Sequence, residues 1–166
     1  MDRIACRSAT ANSMRPQDDH RWRLYPDTIL EFLPGDNAVA IDLRVSLSDA
    51  ARAALRDCGL PDSFVVLTAC NPRGLTVDDD ANRARMRQLR EQLHHRNLMW
   101  IPTDGVSPDG RHLEPGVAVV LAPDDATRLA REFDQSAYFA CDGAAFKLNG
   151  AVVDAPPIEL PPRPVD

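Results

Sequence analysis

The order of apolar patterns between residues 63 and 141 narrows the possible folds of this chain more than any other feature. Residues 63–69 (SFVVLTA) place Phe64, Val65, Val66 and Leu67 in one continuous apolar run, the mark of a strand covered on both faces. Over residues 78–97 Met86, Leu89 and Leu93 recur at helical spacing. Asp78, Asp79 and Asp80 suit the positive end of that helix, and Arg83, Arg87 and Arg90 form a stripe expected to face water. Residues 98–103 (LMWIPT) and 116–121 (GVAVVL) read as strands, with a long loop over 104–115 between them. A second helix over residues 124–134 carries Ala126, Leu129, Ala130 and Phe133 on one face and leads into a strand at 136–141. Strand–helix–strand–strand–helix–strand is the split β-α-β, or ferredoxin-like, arrangement, in which each helix is a crossover returning the chain to one sheet. A Rossmann-like doubly wound sheet is the rival, but no GxGxxG follows a strand to support its dinucleotide-binding form.

The flanks extend this core. Residues 28–33 and 38–44 surround Pro34-Gly35-Asp36-Asn37, a strong turn, and read as a hairpin. Ser48 then caps a short helix with Ala51, Ala54, Leu55 and Cys58 on one face and Gly59 as its stop. Residues 144–148 and 151–153, around Asn149-Gly150, read as a closing hairpin. The expected class is therefore α/β (α+β): a ferredoxin-like split β-α-β core with an N-terminal hairpin plus helix and a C-terminal hairpin, one domain over residues 24–154. Residues 1–23 are polar and read as a flexible arm, in which Met14 is an alternative start to Met1. Residues 155–166 hold five prolines and read as a loose extended tail, a PxxP-type ligand at most.

Composition excludes several classes of function. The 166 residues suffice for one domain with a real core, and the 5% aromatic content makes that core mostly aliphatic. A net charge of -6 argues against a nucleic-acid partner, whose phosphates need clustered cations. No apolar run is long enough to span a bilayer, and the N-terminus has no secretory apolar region, so no membrane association is expected. Cys6, Cys58, Cys70 and Cys141 show no CxxC pairing, which leaves no zinc signature and suggests reduced thiols in the cytoplasm. No cofactor or metal is expected, and nothing in the sequence sets the oligomeric state.

The chemistry, if present, concentrates after the best strand. Thr68-Ala69-Cys70-Asn71-Pro72-Arg73-Gly74 lies at a strand's carboxyl end, a favoured ligand position in folds of this kind. Pro72 is expected to hold Asn71 extended, and Gly74 to allow a tight turn. Asn71 offers an acceptor and two donors, and Arg73 a fork for a carboxylate or phosphate. Asn82 falls on the buried stripe of the long helix beside that loop, so it either ties the loop to the helix or lines a polar pocket with Asn71. Glu114, at the end of the long loop where the next strand opens, is the candidate acid/base, although a solvated carboxylate is the plainer reading. Gln135 ends the second helix, as a cap or a pocket residue. Cys70 reads as an inert buried thiol before a nucleophile, and His94-His95 as surface residues near the negative end of a helix. His112-Leu113-Glu114 matches the HxE of zinc deaminases, but no PCxxC follows.

TACNPRG, Asn82-Arg83 near a helix start, Leu89, Leu93, Gly105, Glu114 and Phe133-Asp134-Gln135-Ser136-Ala137 together resemble a bacterial family, domain of unknown function 3293, over roughly residues 62–148. The family pattern has an aromatic residue before Asn-Pro and a tryptophan two before the glutamate; this chain has Cys70 and His112 there. The resemblance implies no activity. Two expectations stand: a site of Thr68, Asn71, Arg73, Asn82, Arg83, Glu114 and Gln135 for a polar anionic small molecule, or a noncatalytic interaction or regulatory module whose Asn-Pro loop is structural.

Overall fold

The computed structural model describes residues 13–164. In chain order the elements are β1 (Ile29–Phe32), β2 (Val39–Asp42), α1 (Asp49–Asp57), β3 (Ser63–Leu67), α2 (Asp79–His95), β4 (Trp100–Val106), β5 (Leu113–Val119), α3 (Pro123–Glu132), β6 (Ala137–Asp142), β7 (Phe146–Gly150) and β8 (Ile158–Leu160). A 3₁₀ segment, Trp22–Asp27, precedes β1. The strands form one eight-stranded sheet in the order β2-β1-β4-β5-β3-β6-β7-β8. Every pairing between them is antiparallel. That makes the fold α+β and removes the doubly wound reading, which requires parallel neighbours.

Alternation along β3 sends its side chains to two separate cores. Phe64 and Val66 join Leu30, Phe32, Ile41, Phe146 and Leu148, together with Leu55 of α1 and Trp22 of the 3₁₀ segment. Val65 and Leu67 join Val117 and Val119 of β5 under Met86, Leu89 and Leu93 of α2 and Ala126, Leu129 and Ala130 of α3. The first core is the inside of a curl. In a flat sheet β1 and β3, three positions apart, would be separated by about 14 Å, yet the rings of Phe32 and Phe64 meet edge-on with centroids 5.8 Å apart. Phe146 of β7 meets Phe64 at the same 5.8 Å from the other side. The sheet is thus an open, curled half-barrel, with α1 on its concave side and α2 and α3 on its convex side.

Local signals set most helix and hairpin boundaries. Ser48 Oγ accepts from the Ala51 amide and Asp78 accepts from the Ala81 amide, so each helix starts at its capping residue. The Pro34–Asn37 turn joins β1 to β2 as expected. Several expectations are corrected. The loop over 104–115 is mostly sheet: Asp104, Gly105 and Val106 pair with Pro115, Glu114 and Leu113, leaving a turn only at 107–112. Asn149-Gly150 is not a turn but the end of β7, opposite Tyr138 and Ala137. Phe146 and Leu148 both enter the concave core, and keeping that alternation outweighs a local turn preference. The turn falls instead before β7, where the Asp142 carboxylate accepts from the Ala144 and Ala145 amides.

Residues 13–23 and 155–164 are also more ordered than their composition suggests. In the proline-rich tail Ile158–Leu160 pairs with β7, and Leu160 is buried. Proline lacks an amide hydrogen, but an edge strand of three residues between prolines avoids that defect. In the expected arm, Met14 exchanges backbone hydrogen bonds with Val152 and Asp154, and Asp19 and Trp22 are buried. Residues 1–12, with Met1 and Cys6, lie outside the described residues.

Candidate functional site

At the carboxyl end of β3 the chain turns through Asn71 in the left-handed region, φ 48° and ψ 64°. The extended conformation expected before Pro72 is therefore wrong: proline disfavours the right-handed helical region, and asparagine tolerates the left-handed one. This turn aims the Asn71 amide back at α2 and across to β5. Its backbone amide donates to Asn82 Oδ1 at 2.9 Å, and Asn82 Nδ2 returns a bond to Asn71 Oδ1 at 3.0 Å. Asn71 Oδ1 also accepts from the Val77 amide, and Asn71 Nδ2 donates to Glu114 Oε2 at 2.8 Å. Asn82 thus ties the loop to the helix, and Asn71 carries the connection on to Glu114.

Glu114 is the meeting point of four segments. Besides Asn71, its Oε2 lies 3.8 Å from Arg21 Nη1 and 3.7 Å from His112 Nε2. Arg21 is placed by the residues around it. The buried Asp19 carboxylate accepts from the Arg21 amide at 2.8 Å and from the Tyr25 hydroxyl at 2.7 Å. Burial, followed by the bond to Asp19, pushes the Tyr25 phenol far up, so it remains a protonated donor. Gly74 passes against Asp19 with φ +71°, and a Cβ there would lie 2.8 Å from Asp19 Cγ. Only glycine permits both the turn and that approach.

The cluster stands between two recesses. Inside the curl, a cavity of about 560 Å³ has Leu30, Val66, Phe139 and Leu148 as an apolar floor, with Arg21, Tyr25, Thr68, Asn71, Glu114 and Gln135 at its polar end. Outside, a recess of about 740 Å³ runs between α2 and the start of β5, lined by Asn82, Arg83, Arg87, Arg90, Trp100 and again Asn71 and Glu114.

The remaining expected site residues fall as follows. Thr68 Oγ1 donates to the Pro115 carbonyl at 2.7 Å and accepts from the Cys70 amide, fixing the strand end. Gln135 is buried: Nε2 donates to the Phe133 carbonyl at the end of α3 at 3.3 Å and to the Cys70 carbonyl at 2.9 Å, and the residue borders the inner cavity. Arg73 is not with the others. It pairs with Asp134 at 3.3 Å and borders neither recess, because its left-handed backbone (φ 55°) turns it toward the end of α3. Arg83 pairs with Asp80 and lies on the outer recess, away from the inner cavity.

Arg90, expected to face water, instead lies over the Trp100 ring at 5.4 Å, with Nε buried. Burial pushes the Cys70 thiol up to about 11, so it is neutral near pH 7 and a poor nucleophile. Among the described residues no cluster of three or more His, Cys, Asp or Glu could hold a metal ion, and no helix is long and apolar enough to cross a membrane.

Asp19 and Arg21 were missed because they lie in the polar stretch that reads as an arm, and Tyr25 because it lies just beyond it with no motif around it. One signal existed: Trp22 and Tyr25, three residues apart in a chain only 5% aromatic, mark a buried face.

Fold and site together define a class: an α+β domain with a curled antiparallel sheet and an amide–carboxylate cluster at the end of its central strand. Residues 67–138 match the family model described as "Protein of unknown function (DUF3293)", and the chain carries a DUF3293 domain there. The matched span runs from the end of β3 into β6 and includes Asn71, Asn82, Glu114 and Gln135. No curated protein and no solved structure matches the chain.

Proposed function

We propose that the inner cavity binds a polar small molecule with an apolar body, held at its polar end by Glu114 and Arg21. The observation that carries this reading is convergence. Polar groups from the 3₁₀ segment, the loop after β3, the start of β5 and the end of α3 meet at one end of a cavity with an apolar floor. Few, placed polar groups above apolar walls are the usual composition of a ligand site. Glu114 offers an acceptor and Arg21 a donor side by side, so the complementary ligand end carries both, as a hydroxy acid or an amide does. Arg73 has no part in this reading, and Arg83 belongs to the outer recess. Glu114 is the group able to take or give a proton to such a ligand. A cytoplasmic location accords with the free thiols of Cys58, Cys70 and Cys141.

Ligand-observed NMR against a panel of alkyl and aryl hydroxy acids and amides tests the proposal. Ala137 also borders the inner cavity, so binding signals should vanish in Ala137→Phe, which places a ring there, and weaken in Glu114→Gln. Panel members that bind both variants as they bind the wild type would overturn the proposal, as would the absence of any hit.

A second reading, a noncatalytic interaction module, has its own support. The hydrogen-bonding groups of Asn71 and Asn82 are spent on each other, on Val77 and on Glu114, as in a purely structural loop. The same proposal includes the fold's finer class. The order β4-β5-β3-β6, with α2 and α3 on one face, is what supports a ferredoxin-like split β-α-β unit within the larger sheet.

A further inference from the structure

We infer that the outer recess between α2 and the β4–β5 hairpin is a second binding site, independent of the inner cavity, and that it takes an organic phosphate of about nucleotide size. The inference begins with Arg90. Its guanidinium lies 5.4 Å from the centre of the Trp100 ring, within the range of a cation–π contact, and its buried Nε has no hydrogen-bond partner. Its terminal nitrogens form no ion pair among the described residues. Asp104 is near enough for Arg90 to act on its carboxylate, but the two form no ion pair, so the arginine is held by the aromatic face before any ligand arrives.

Spacing supplies the rest of the site. Arg87 and His94 lie three and four residues from Arg90 on α2, so all three share one helix face, and all three border the recess. Arg87 likewise forms no ion pair among the described residues. The walls are apolar where they meet Trp100: Met86, Leu113 and Pro115 line the same recess. Its volume, about 740 Å³, suits a ligand with a ring system as well as a charged group.

Three carboxylates also border the recess: Asp79, Glu91 and Glu114. Glu114 is engaged by Asn71 and flanked by Arg21. Asp79 lies eleven residues from Arg90, about 16 Å along the helix axis. Glu91 is exposed and lies four residues from Arg87 and three from His94, beside them on the helix surface, and forms no ion pair with either among the described residues, so two arginines face one carboxylate there. The cationic end is therefore the Arg87–Arg90–His94 end, where a phosphate accepts from guanidinium groups and a ring lies against the apolar wall.

Trp100 provides a direct readout. In a Trp22→Phe background, which leaves Trp100 as the sole tryptophan, ADP, inorganic pyrophosphate and adenosine are titrated separately while Trp100 emission is followed. Saturable changes are expected with ADP and, more weakly, with pyrophosphate, and none with adenosine. Arg87→Gln and Arg90→Gln should each weaken ADP binding at least about tenfold, and Arg90→Lys should restore only part of it because the fork is lost. Ala137→Phe, which fills the inner cavity, should leave ADP binding unchanged, which separates this site from the inner one. The inference is overturned if ADP up to millimolar concentration leaves the emission unchanged, or if binding survives both glutamine substitutions. Should the Trp22→Phe chain fail to fold, calorimetric titration of the wild type with the same three compounds replaces the optical readout.

Discussion

Gly74→Ala tests the arrangement that positions Arg21. Gly74 sits at φ +71°, and a Cβ would come within 2.8 Å of Asp19 Cγ and closer to its Oδ1. Two costs follow. Holding alanine in the left-handed region costs about 1–2 kcal/mol. Displacing a buried carboxylate from the Tyr25 hydroxyl and the Arg21 amide costs about 1.5–3 kcal/mol more, as for hydrogen bonds to a charged group. The substitution should therefore destabilise the protein by roughly 2.5–5 kcal/mol, a large part of a domain's whole stability. Urea unfolding followed by far-UV circular dichroism measures it. A double-mutant cycle isolates the cause: in an Asp19→Ala background the carboxylate is gone, and Gly74→Ala should cost only the backbone component, about 1–2 kcal/mol. A loss below about 1 kcal/mol in the wild type, or an equal loss in both backgrounds, would refute the reasoning.

Two further outcomes follow from the same loop. Asn71→Ala removes the acceptor of the Val77 amide and the donor to Glu114, and leaves alanine at φ 48°. It should cost about 2–4 kcal/mol, and Asn71→Gly about 1 kcal/mol less because the backbone strain is relieved; thermal or urea unfolding of both variants checks the order. The Cys70 thiol, pushed up to about 11 by burial, is protonated in the folded state over a range where the unfolded chain has lost its proton. Stability should fall as pH rises from about 8.5 toward the folded value, because the native state then binds more protons than the unfolded one. Unfolding curves of Cys70→Ala should show a shallower alkaline decline, and an unchanged slope would contradict the assignment.

By itself the sequence determined the local elements and part of the candidate site. Ser48 and Asp78 mark helix starts because a capping oxygen is a local signal, and Met86, Leu89 and Leu93 name a buried face because helical period is local too. Asn71 and Asn82 were legible as neighbours for the same reason: a strand end and the opening turn of the following helix lie a short loop apart.

What only tertiary structure decided depends on pairing across the sheet. β4 and β5 run through Gly105 and Glu114 because each strand supplies the other's hydrogen-bond partners, which no single-strand pattern reveals. Asn149-Gly150 gives up its turn because β7 must keep Phe146 and Leu148 in the curl. Arg21, in the stretch read as an arm, stands beside Glu114 where Arg73 was expected, for the same kind of reason. A left-handed backbone carries Arg73 to Asp134, while Asp19, buried against Gly74, brings Arg21 beside Glu114. Residue type specifies what a side chain can bond; the long-range packing of the sheet specifies which partner it meets.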